Sequence, residues 1–178
     1  MTSNIAVLCA ATLSLIGVLQ ANQASNASRQ LPQEATSVQE IYENWTVGCA
    51  QRDGKKVCTL SQQQMDKDSR QRALAFELTA VAPEKAEGSL LLPFGLAVDR
   101  EVVLQVDGGA LSSPLHFRTC VPAGCLVTLA FDVRAITGLK GGNALTVKTT
   151  ADGGQPITFT LALKGFSSAF DRTAALLK

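Results

Sequence analysis

The chain has 178 residues, 46% of them hydrophobic and only 17% charged, and its formal net charge is +1. That length suits one domain with a substantial core. The near-neutral charge leaves no basic field to draw nucleic acid or anionic lipid, and Lys55-Lys56 or Arg70 with Arg72 read as solvated turns.

An apolar run from Ile5 to Leu19 opens the chain. A membrane-spanning helix needs about 20 apolar residues, so the run is short for an anchor and fits the hydrophobic region of a signal peptide. Ser25-Asn26-Ala27 puts small residues at the positions a signal peptidase reads, with Ala21 and Ala24 as competing sites. Residues 1–27 are therefore assigned to a signal peptide. Met1-Thr2-Ser3-Asn4 carries no Lys or Arg, which keeps an upstream start or an uncleaved anchor as alternatives. Cleavage removes Cys9 and leaves four of the five cysteines, an even count that reads as disulfides in an exported chain. No stable transmembrane segment remains after it. Residues 28–40, polar and interrupted by Pro32, read as a flexible mature N-terminus, and 41–178 as a single domain.

The stretch from Trp45 to Leu60 carries the strongest local signal. Asp53-Gly54 suits a type I′ turn, which needs φ > 0 at both central positions. Counting outward from that turn sets Cys49 opposite Cys58 at a non-hydrogen-bonded pair, where Cα atoms lie about 4.5 Å apart. A disulfide can span that gap. The same register puts Trp45, Val47, Cys49, Cys58 and Leu60 on one inner face. Tyr42 and Trp45 are the candidate ligand-facing aromatics; burial as an inner-face anchor is the competing use of Trp45.

Residues 62–69 read as a polar loop, and Leu74, Phe76 and Leu78 alternate as a strand that Pro83 closes. From Gly88 to Val98, Pro93 and Gly95 break an apolar run, which reads as a kinked or edge strand. Asp99-Arg100 turns into a strand over 102–107. Val121-Pro122-Ala123-Gly124 has the preferences of a type I turn and sets Cys120 opposite Cys125. Three pairings of four cysteines are formally open, and local spacing favours Cys49–Cys58 and Cys120–Cys125. Intervals between these cysteines do not match the C-x₂-C pairs of zinc ribbons, so no metal site is assigned. Residues 134–140 suggest one helical turn, and 144–149 with 157–163 form a hairpin about Asp152-Gly153-Gly154. Phe166, Phe170, Ala174 and Leu177 then recur at helical spacing, with Ser167 or Ser168 as cap.

About eight short strands with regular turns predict an all-β antiparallel sandwich, immunoglobulin-like or jelly-roll-like, with two local disulfides and a short C-terminal helix. Strands shorter than about 10 residues exclude an outer-membrane barrel. His116 is the sole histidine, and no G-x-S-x-G elbow surrounds Ser112, Ser113 or any other serine. Glu77, Asp99, Glu101, Asp107 and Asp132 are scattered over strands and turns. No catalytic residue and no cofactor are assigned, and the chain is read as a non-enzyme.

One ordered set of residues resembles a known family. Glu43-Asn44-Trp45-x-Val47-x-Cys49, Cys58, Leu92-Pro93-Phe94-Gly95, Phe117-Arg118-Thr119-Cys120 with Gly124-Cys125, and Lys164-Gly165-Phe166 with Ala169 are similar to the invasion-associated locus B family, over residues 43–170. The resemblance implies a small all-β domain exported by Gram-negative, mostly alphaproteobacterial, cells, in a family named for host-cell invasion and so for virulence. It brings no catalytic motif, and only the four disulfide cysteines carry over. The expected role is a periplasmic, secreted or surface-associated cell-envelope protein that acts by binding an envelope or host-surface protein. A periplasmic small-ligand or glycan-binding module is the alternative.

Overall fold

The computed structural model describes residues 38–177, apart from 69 and 83. The expected signal peptide lies outside the described residues, as does most of the mature N-terminal segment. Its last residues, 38–40, belong to a strand that runs on to Tyr42.

The described residues form eleven strands in two antiparallel sheets. The larger sheet has the order β1-β2-β3-β4-β5-β9-β8, built from β1 (Val38–Tyr42), β2 (Trp45–Arg52), β3 (Lys55–Met65), β4 (Arg72–Ala82), β5 (Lys85–Leu92), β8 (Phe117–Val121) and β9 (Gly124–Phe131). The smaller has the order β11-β10-β6-β7, built from β6 (Val103–Val106), β7 (Gly109–Ala110), β10 (Ala144–Thr150) and β11 (Pro156–Ala162). The first five strands run as one meander, so the order differs from that of an immunoglobulin domain. Strict alternation explains the packing. Trp45, Val47, Leu60, Leu74, Phe76, Leu78, Leu90, Val127 and Leu129 leave the large sheet on one face and meet Leu104, Leu145, Val147 and Leu161 of the small one.

The small sheet covers only part of that face, and two helices cover more of it. The first, α1 (Val133–Gly141), is longer than the single turn its sequence suggests and buries Ala135, Ile136 and Leu139. Asp132 caps it by accepting from the Ala135 N–H at 2.9 Å. The C-terminal α2 (Phe166–Leu176) packs against β1 to β4 and buries Phe166, Ala169, Phe170 and Thr173. Neither Ser167 nor Ser168 caps it. Its cap position is Gly165, left-handed at φ 90°, and a Cβ there would lie 2.2 Å from the Tyr42 carbonyl oxygen.

Three further expectations change. Of the polar stretch expected as a loop, residues 62–65 belong to β3, where Gln62 and Gln64 have carbonyl partners on the opposite sheet, and 66–68 form a turn. Pro93 neither kinks a strand nor marks an edge: β5 pairs on both sides and ends at Leu92, one residue before it. β3 and β4 each run for 11 residues, so strand length does not speak against a barrel. Separation into two sheets, with β1 and β8 at the margins of the larger, is what departs from one.

Candidate functional site

Asp53 and Gly54 both have positive φ, 51° and 73°, and the hairpin they close pairs Cys49 with Cys58. The two are bonded, with Cα atoms 4.0 Å apart. This staple lies on the inner face beneath the end of α2, where the Leu176 carbonyl oxygen sits 3.9 Å from Cys58 Sγ. Disulfide sulfur carries no proton, so that approach is packing and not a hydrogen bond. The second bridge joins Cys120 to Cys125, Cα atoms 3.9 Å apart, across the β8–β9 hairpin. Its exposure is lopsided: Cys120 is open to solvent on a marginal strand, while Cys125 is buried.

Trp45 is 0% exposed. Its ring meets Phe76 and Phe166 edge-on, at centroid distances of 5.7 and 5.0 Å, and its N–H donates to the Ala162 carbonyl at 3.2 Å. Gln62 donates to the same oxygen and to the Asn44 carbonyl. The indole is therefore a bolt between the sheets, not the ligand-facing aromatic its sequence position allows, because each surface it could offer is already covered. Tyr42 is half-buried, and its hydroxyl donates to Glu40 at 2.7 Å. Arg172 of α2 forks onto the same carboxylate, Nη2 to Oε1 at 2.7 Å and Nε to Oε2 at 2.8 Å. That guanidinium, helped by the tyrosine hydroxyl, holds the Glu40 carboxyl down from 4.5 to about 2. The charged carboxylate in turn pushes the Tyr42 phenol up.

His116 is exposed and borders a shallow, polar depression of about 490 Å³ with Asp99, Arg100, Glu101 and Lys148. No serine or cysteine lines it, and its hydroxyls are those of Thr149 and Thr150. Two other carboxylates have structural partners. Asp132 caps α1, and Asp107 accepts from the backbone N–H groups of Asn143 and Ala144, which lowers its pKa. Among the described residues no three His, Cys, Asp or Glu side chains gather as metal ligands.

The apolar concavity is elsewhere, where α1, α2 and the β4–β5 hairpin meet. It measures about 520 Å³ and is lined by Ala80, Val81, Phe170, Ala174 and Leu177, with Lys140 at its rim. The Lys140 ammonium lies 2.7 Å from Asp171 and 4.9 Å from the Phe170 ring centre. Small side chains on both walls leave the space unfilled. No local sequence signal points to it, since its walls come from three separate segments.

The geometry defines a class: a disulfide-stapled β-sandwich braced by two helices, with an apolar groove between the helices and the β4–β5 hairpin. The family model described as Invasion associated locus B (IalB) protein matches residues 45–174, and the chain belongs to that family. An invasion protein B homolog of Brucella abortus (strain 2308) is 41% identical over 83% of this chain and 86% of its own length. Invasion protein B of Bartonella bacilliformis is 34% identical over 83% and 81%. The crystal structure of invasion associated protein b from Bartonella henselae superposes with a TM-score of 0.73 at 35% identity, covering 78% of this chain and 96% of that one.

Proposed function

We propose that this protein is an exported, non-catalytic component of the cell envelope or cell surface that acts by binding another protein, in host-cell invasion. The observation that carries the reading is the pair of disulfides, set in a chain whose relatives are named invasion protein B. Such bridges persist in oxidising compartments and are rare where glutathione and thioredoxin keep thiols reduced. The apolar run at residues 5–19 supplies an export signal, with cleavage after Ala27. Among the described residues no helix is long and apolar enough to cross a membrane. The small-ligand or glycan alternative loses its best feature with the burial of Trp45.

Fractionation of the producing bacterium, followed by intact-mass analysis without reductant, tests the compartment. The expected species begins at Ser28 and lacks two hydrogen atoms for each bridge. A cytoplasmic chain with free thiols would overturn the proposal. An in-frame deletion then tests the role: reduced entry into host cells, with the envelope otherwise intact, is expected. Unchanged entry would remove invasion from the reading.

A further inference from the structure

Every open sheet has marginal strands whose outward N–H and C=O groups invite another strand, and proteins usually guard them. Three of the four margins here are guarded. β7 is only two residues long. β8 is bulged between Phe117 and Thr119, displays Arg118 and runs into Pro122. β11 opens with Pro156, and its outward carbonyls at Thr160 and Ala162 accept from Gln64, Gln62 and Trp45.

β1 has none of these devices. It holds no Pro, no Lys and no bulge, and its register with β2 is regular from Val38 to Tyr42. The two-residue turn after Tyr42 makes Tyr42 and Trp45 a hydrogen-bonded pair, so alternate residues Glu40 and Val38 also bond to β2. Gln39 and Ile41 therefore aim both backbone groups away from the sheet, where no described strand meets them. Ile41 is also 75% exposed, the most exposed of the large apolar side chains among the described residues.

We propose that a second copy of this chain pairs with β1, joining two seven-stranded sheets edge to edge about a twofold axis at Ile41. In that register each Ile41 exchanges both backbone hydrogen bonds with its counterpart, and the two exposed side chains cover each other on the outer face. Tyr42 of one copy then stands opposite Glu40 of the other, so like charges do not meet, and each tyrosine hydroxyl keeps the Glu40 of its own copy as acceptor. An axis at Glu40 would instead set two carboxylates face to face, which is unfavourable. So short an edge buries less than the ~1,200 Å² of a standard interface, so the dimer is weak and concentration-dependent.

Sedimentation velocity of the processed protein, purified from the producing bacterium, tests this from about 1 to a few hundred micromolar. The sedimentation coefficient should rise reversibly towards that of a dimer. Ile41→Pro is the informative variant, because it deletes only the outward N–H and leaves the β1–β2 ladder intact. It and Ile41→Lys should abolish the rise without lowering Tm, whereas Phe94→Lys, at another exposed apolar residue, should not. A monomer throughout the range would overturn the proposal. So would a dimer that survives Ile41→Pro or is lost with Phe94→Lys.

Discussion

At the scale of single residues, the inner face depends on a few side chains with two roles. Trp45 fills the space between the sheets and also donates a hydrogen bond to Ala162. Trp45→Phe should therefore cost less than Trp45→Ala, for which about 3–5 kcal/mol is expected from the cavity it leaves. Urea unfolding of the two variants side by side reads the difference. Glu40 makes a prediction in pH. Its carboxyl is held down from 4.5 to about 2, so the stabilisation is fully present above pH 4.5 and is lost as pH falls from there towards 2. Arg172→Met removes the main cause and should flatten that acid limb. Urea midpoints measured through this window for the wild type and the variant check it; parallel curves would mean that the fork is energetically idle.

Among elements, the two staples span similar Cα distances, 4.0 and 3.9 Å, but are unequal in access. Thiol–disulfide exchange requires a thiolate to reach a sulfur atom. Cys120 is exposed on a marginal strand, whereas Cys49 and Cys58 lie beneath α2. Graded reduction followed by alkylation and peptide mass analysis should therefore label Cys120 and Cys125 first, with Cys49 and Cys58 following only near global unfolding. Simultaneous labelling would contradict the burial argument. Removing the first staple as a Cys49→Ala, Cys58→Ala pair should cost about 2–3 kcal/mol, because it closes a short loop. At α1, Asp132→Ala leaves the Ala135 N–H without its acceptor, and a loss of about 1 kcal/mol in unfolding free energy is expected.

For the whole molecule, α2 is the element on which the inner face most depends. It lies across β1 to β4, and Phe166 packs directly on Trp45. A chain ending at Lys164 would expose Trp45 and its apolar neighbours together. Loss of cooperative thermal unfolding is expected, followed by near-ultraviolet circular dichroism; a sharp transition in the truncated chain would show that the sheets hold without the helix.

Features that depend on near neighbours along the chain were legible in the amino-acid sequence alone. The turn at Asp53-Gly54 imposes φ > 0, and the alternation of Trp45, Val47 and Cys49 then dictates which residues face inward. From these follows the pairing of Cys49 with Cys58, while the count of short strands and turns predicts a sandwich and the ordered residues from Glu43 to Ala169 carry the family resemblance. What only the tertiary structure decided lies between distant segments. Gln62 and Gln64 look like loop residues until their carbonyl partners on β11 are in place, and Glu40 meets Arg172 only because α2 folds back over β1. The groove beside Phe170, the burial of Trp45 and the unguarded margin at Ile41 belong to the same class. Turn chemistry and side-chain alternation act over a few residues and can be read in one dimension. Coverage of a sheet face, and of its edges, depends on which remote element arrives there.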